Sequence, residues 1–174
     1  MANFQKSIKA TEQAIAYITR SVPTIMGVEA VNHFKDSFQD QGFTDRSLEK
    51  WPEVKRRQEG RWKGFQYGST VRRPGTKQRK AGAMTNYSPA AENRPILSGT
   101  TQELMNGINW QKTATGIRVT AAAAYAKIQN QGGQMSVFGK ASTRMPKRQF
   151  MGNSEVLRNR IRTIIYNDLN RIFK

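Results

Sequence analysis

Cysteine is missing from all 174 residues, which excludes disulfide staples and thiolate metal sites. Histidine occurs once, at His33, so histidine-rich metal centres are excluded as well. Acids are scarce: 12 Asp and Glu stand against 29 Lys and Arg. Beyond residue 60 the only carboxylates are Glu92, Glu103, Glu155 and Asp168, too few for the acidic cluster that a metal-dependent nuclease gathers around Mg²⁺. No run of about 18 apolar residues occurs, so no membrane-spanning segment is expected. The opening MANFQKSIKATEQ lacks the long apolar stretch of a signal peptide, so the chain is expected to be cytosolic when made. Also missing are GxSxG, the phosphate-binding P-loop, HExxH and a carboxylate pair at close helical spacing in a likely cleft. No enzymatic activity, metal or cofactor is therefore expected. The lone His33, beside an apolar stripe, reads as a packing or surface residue rather than a general base.

What is present in excess is positive charge, a net of +17. It is unevenly placed. Residues 1–43 carry four bases and four acids and are neutral, residues 44–95 carry +8, residues 96–152 carry +6 and the last 22 carry +3. The segment 44–95 holds Lys55, Arg56, Arg57, Arg61, Lys63, Arg72, Arg73, Lys77, Arg79 and Lys80 among Trp51, Trp62, Phe65 and Tyr67. Aromatics among cations stack on bases or form cation–π pairs. Equally, such a segment docks on acidic protein surfaces. Both readings stand at this stage. No RNP aromatic pattern, GXXG clamp or zinc finger is present, so any nucleic-acid contact is to phosphates and is not sequence-specific.

Hydrophobic spacing gives the elements. Phe4, Ile8, Ile15, Ile18 and Val22 recur at three- to four-residue steps, as do Ile25, Val28, Val31, Phe34 and Phe38 after Pro23. These predict helices at 4–21 and 24–41, or one bent helix, with Gly42 as the residue just past the end. Residues 43–95 have no sustained period and read as an extended basic loop or arm within a single domain of residues 1–174, with a short hairpin in RWKGFQYG (61–68). Ser98 is a candidate cap for a short helix over 102–108. NWQKTATGIRVTA predicts two strands around a turn at Thr115–Gly116. A short helix over the alanine run (121–124) and YAKIQNQ, stopped by Gly132–Gly133, leads into a loop at 133–145. The clearest helix is NSEVLRNRIRTIIYNDLNRIFK, capped by Asn153 or Ser154. The fold class is α+β: N-terminal helices and a long C-terminal helix packed on a small antiparallel sheet, with the basic loop inserted.

Four segments carry a family likeness. They are VNHFKDSFQDQGFTDRSLEKW (31–51), RPILSGTTQELMNGI (94–108), AYAKIQNQGG (124–133) and MPKRQFMGNSEVLRNRI (145–161). In this order they resemble the boxes of the tailed-phage virion morphogenesis or tail completion proteins of the phage Mu type, across most of residues 28–165. Gln129 stands where that family often has histidine, and nothing in it aligns with 52–93. The resemblance implies a non-enzymatic, ring-forming homo-oligomer, sixfold in the family, at the neck or head-proximal end of the tail. It would contact the tail tube and the connector or portal side, with packaged DNA passing through its channel. It also implies interface roles for Tyr125, Gln129, Gly132, Gly133, Pro146, Arg148 and Phe150. On this reading AAAYAKIQNQGG launches a loop, residues 133–145, that reaches a neighbouring subunit; the other reading is a connection within one subunit.

Overall fold

The computed structural model describes residues 2–54, 65–66, 84–85, 94–99, 101–137 and 141–174. The chain divides into two compact units, Met1–Trp51 with Leu97–Lys174, and Pro52–Ile96. The class is α+β. Residues 44–51, assigned to the basic segment by composition, belong to the first unit.

The first helix, α1 (Ala2–Asp40), runs unbroken through Pro23, which corrects the division into helices at 4–21 and 24–41. Proline has no N–H, so the carbonyl four residues earlier, that of Thr19, loses its helical donor. Lys112 Nζ donates to that oxygen at 2.9 Å. A tertiary donor thus replaces the missing one and the helix continues. Lys112 lies on β5 (Ile108–Thr113), which pairs with β6 (Gly116–Ala121) from Ile108↔Ala121 to Thr113↔Gly116. The same hairpin rests the Trp110 ring on α1 at Gly27, where an added Cβ would lie inside the indole. Gly27→Ala should therefore destabilise the protein. Alanine's helix preference of about 1 kcal/mol is outweighed by overpacking of roughly 1–3 kcal/mol. A thermal midpoint equal to or above wild type would contradict this packing.

Two short strands follow α1: β1 (Gly42–Thr44) and β2 (Leu48–Lys50), paired antiparallel. The left-handed residue past the helix is Gln41, φ 52°, and not Gly42. The Gln41 side-chain amide closes back on the Phe38 carbonyl. Gly42 is glycine for another reason: a Cβ there would press on the Glu49 carbonyl across the strand pair. In the second unit, β3 (Phe65–Gln66) pairs with β4 (Met84–Thr85). Its partner is a distant segment; apart from Phe65 and Gln66, the hairpin read within 61–68 lies outside the described residues.

The helix expected over 102–108 is a single turn, α2 (Glu103–Asn106), and Ile108 is already in β5. Gln102, φ 51°, stands at its N-cap without a side-chain cap, so Ser98 does not cap it. After β6 come α3 (Ala126–Gln131), β7 (Gly133–Val137), β8 (Ala141–Met145) and α4 (Glu155–Ile172).

Helix α4 begins where the sequence placed it. Ser154 Oγ accepts from Leu157 N at 3.1 Å and donates to the Thr44 carbonyl at 2.9 Å. Glu155 in its first turn and Arg171 in its last complement the helix dipole. The helix runs antiparallel along α1, since Arg160 pairs with Glu29 at 2.8 Å and Tyr17 donates to Asp168 at 2.7 Å. Burial, then that hydrogen bond and the Asp168 charge, push the Tyr17 hydroxyl up from 10.0 to about 12. A raised folded value means the contribution is whole below pH 10 and is lost as pH climbs towards 12. Stability should fall across that window, and Tyr17→Phe should flatten the fall. An equal slope in both proteins would contradict the contact.

The core lies under the C-terminal half of α1. Phe34, Phe38, Phe43, Trp51 and Phe150 are all buried. Phe38 meets Trp51 edge-on at 5.6 Å and Phe150 at 5.3 Å. His33 is buried between Phe34 and Phe43, its Nε2 2.9 Å from the Thr44 carbonyl. It packs, as its single occurrence led one to expect. The N-terminal stripe does not: Phe4, Ile8, Ile15 and Ile18 are exposed.

Candidate functional site

The third and fourth sequence boxes meet in space. Segment 147–151 passes beside α3, and Arg148 N donates to the Gln129 carbonyl at 2.9 Å. Asn130 then clasps the segment through its side chain. Its Oδ1 accepts from Phe150 N at 2.8 Å and Met151 N at 2.9 Å, and its Nδ2 donates to Met151 O at 3.1 Å. From the other side Ser37 Oγ donates to Phe150 O at 3.4 Å and the Trp51 indole N–H donates to Gln149 O. The Phe150 ring, 1% exposed, fills the core beneath. This segment is thereby tied to both ends of the fold, α1 with its following strand pair and α3.

Between the boxes stands a hairpin. Of residues 133–145, read from the sequence as a loop, 133–137 and 141–145 are instead β7 and β8, paired from Gly133↔Met145 to Val137↔Ala141. Its root needs glycine. Gly132 has φ 70°, and a Cβ there would fall 2.8 Å from Lys147 N and 3.0 Å from Met145 O. Gly133 has φ 131°, also in the region that side chains avoid. The chain therefore leaves α3, turns sharply and starts the strand against the returning segment. The two strands form a sheet of their own, so each has an outer edge with no strand partner among the described residues. Gln134, Ser136 and Arg144 are exposed.

The other expected interface residues divide between root and surface. Tyr125, 42% exposed, donates to Glu103 Oε2 at 3.3 Å. Partial burial and then the Glu103 charge push its hydroxyl above the usual value. Pro146 is exposed. Arg148 is buried, 7% exposed, with Nη1 donating to Met145 Sδ at 3.8 Å. Gln129 Oε1 is buried and accepts no hydrogen bond among the described residues. Gln129, Gly132, Gly133, Arg148 and Phe150 thus converge at the root, while Tyr125 and Pro146 lie at its surface. Asn130 was missed. Its signal was only an amide side chain two residues before Gly132–Gly133.

The ten basic-arm positions, from Lys55 to Lys80, lie outside the described residues. Among the described residues no cluster of His, Asp and Glu is arranged to hold a metal ion, and no helix is long and apolar enough to cross a membrane. A β-edge can take a strand from a partner by main-chain hydrogen bonding. No family model matches the chain, and neither a curated protein nor a solved structure matches it.

Proposed function

We propose that this chain is a structural virion protein of the head–tail junction. In that role it forms a ring at the head-proximal end of the tail, completes the tail tube and makes it competent to join a filled head. The observation that carries the reading is the meeting of the two family-like boxes at the root of a hairpin whose outer edges have no strand partner among the described residues. A root tied to α3 by hydrogen bonds and a two-stranded arm beyond it suit a contact with a neighbouring subunit. Rings arise from head-to-tail contacts whose rotation closes. The tail tube and the connector or portal side are the other partners in this reading, and packaged DNA would cross the channel. The test is native mass spectrometry with negative-stain microscopy of the purified chain. The full chain is expected to give closed rings, and a variant with residues 134–144 replaced by a Gly-Gly link is expected to give folded single subunits. A full chain that stays monomeric while other junction proteins assemble, or rings formed by the shortened variant, would overturn it.

The +8 carried by residues 44–95 favours a second reading, nonspecific nucleic-acid binding. It requires tight DNA binding by the isolated chain that weakens on the order of 10³-fold between 50 and 200 mM salt. Replacing Arg56, Arg57, Arg72 and Arg73 by serine would then abolish binding. If assembly survived that change intact, the arm would have no docking role.

A further inference from the structure

On helix α4, Arg162, Tyr166 and Phe173 are exposed and follow one another at steps of four and seven residues, which places them on one strip of the helix. Phe173, at the C-cap, keeps right-handed helical backbone and so stays on that strip. Tyr166 and Phe173 are 66 and 59% exposed. Beside Phe173 a cleft of about 460 Å³ opens between the first turns of α1 and the end of α4, lined by Lys6, Lys9 and Lys174 with Ser7 and Gln13. We infer that strip and cleft together form a site for single-stranded nucleic acid.

Charge is the first ground. Among the described residues no acidic side chain lines the cleft, and Glu12, the only acid in the first 28 residues, lies outside it. The two carboxylates of α4 are taken up elsewhere: Glu155 pairs with Arg46, and Asp168 accepts from Tyr17 and pairs with Arg171. Lysine and arginine, with the hydroxyl and amide donors beside them, are the side-chain types that hold phosphate oxygens. The two rings are the second ground. A protein partner buries continuous apolar area, but Asn167 and Asn170 separate Tyr166 from Phe173, and no exposed apolar residue lies between them. Seven residues of helix set the rings about 10 Å apart along the axis. Each ring can therefore take a base of its own while the cations hold the backbone, and stacking of this kind tolerates polar neighbours and any sequence. A duplex keeps its bases stacked on one another, so the single strand is the form that fits. The site uses no residue of the basic segment 44–95 and does not depend on the tail-end role.

The test is fluorescence anisotropy of the full chain with a labelled oligothymidylate about twelve nucleotides long, beside a duplex of the same length. Tyr166→Ala and Phe173→Ala should each weaken single-strand binding about tenfold, the loss of one stacked base, and leave duplex binding unchanged. Tyr166→Phe keeps the ring and should bind as wild type. Replacing Lys6, Lys9 and Lys174 by serine should lower the slope of log affinity against log salt by about 2, three phosphate contacts on a single strand. Both rings are exposed, so these changes leave the fold intact, which far-UV circular dichroism checks. No binding of the oligothymidylate by the wild-type chain, an affinity unmoved by loss of either ring, or an equal loss for the duplex would overturn the site. So would poly-glutamate bound as tightly and weakened by the same two ring variants, which would assign the surface to an acidic protein.

Discussion

Phe150→Ala is expected to cost about 3–5 kcal/mol, the usual loss when a fully buried phenylalanine is truncated. The ring is 1% exposed and lies 5.3 Å from that of Phe38, which in turn meets Trp51. Its backbone is held on both sides, by Asn130 and by Ser37. The segment therefore cannot collapse freely into the space left behind, and most of the cavity persists. For a chain of this length each kcal/mol moves the thermal midpoint by about 2–4 °C, so a fall of about 10 °C is expected. Phe150→Leu, which keeps most of the volume, should cost about 1.5 kcal/mol or less. A midpoint for the alanine variant within about 2 °C of wild type would show that the aromatic cluster is not the core.

Asn130→Ala is expected to be nearly as damaging, through hydrogen bonds rather than volume. One carboxamide serves three backbone groups, accepting from Phe150 N and Met151 N and donating to Met151 O. Its removal leaves two amides without their acceptor, each worth about 1–3 kcal/mol where water is kept out. Asn130 is only half-buried, so water recovers part of the loss and about 2–4 kcal/mol remains. Asn130→Asp keeps the acceptor and loses the donor, and should fall between alanine and wild type. Hydrogen exchange separates this from general destabilisation: the amides of Phe150 and Met151 should lose protection before those of α4. Protection unchanged at those two amides would contradict the clasp.

Much of the fold was legible in the sequence where local signals and the final contacts agree. Helix α4 has a serine cap, an acid at its start and a continuous apolar stripe, and it forms as read. The β5–β6 pair and the end of α3 at its glycines were legible for the same reason, although α3 begins only at Ala126 and leaves the alanine run before it outside the helix. The misses share one cause, a tertiary partner that the local sequence does not name. Pro23 reads as a break until Lys112, 89 residues later, supplies the donor that Thr19 lacks. Gly42 reads as a helix stop until its closeness to the Glu49 carbonyl is seen. The stripe from Phe4 to Val22 has the period of a buried helix face, and period alone does not supply the element that would cover it. At the candidate site, the glycines and Phe150 were singled out because their types are conspicuous. Asn130 was passed over because an asparagine at the end of a short helix is commonplace, and only the path of residues 149–151 shows what it holds.

The role proposed at the head–tail junction is tested most directly by electron microscopy of phage particles assembled without this chain. Filled heads lying beside unattached tails, with joining restored by the full chain and not by the variant lacking residues 134–144, is the predicted result. Intact virions formed in its absence would contradict the role.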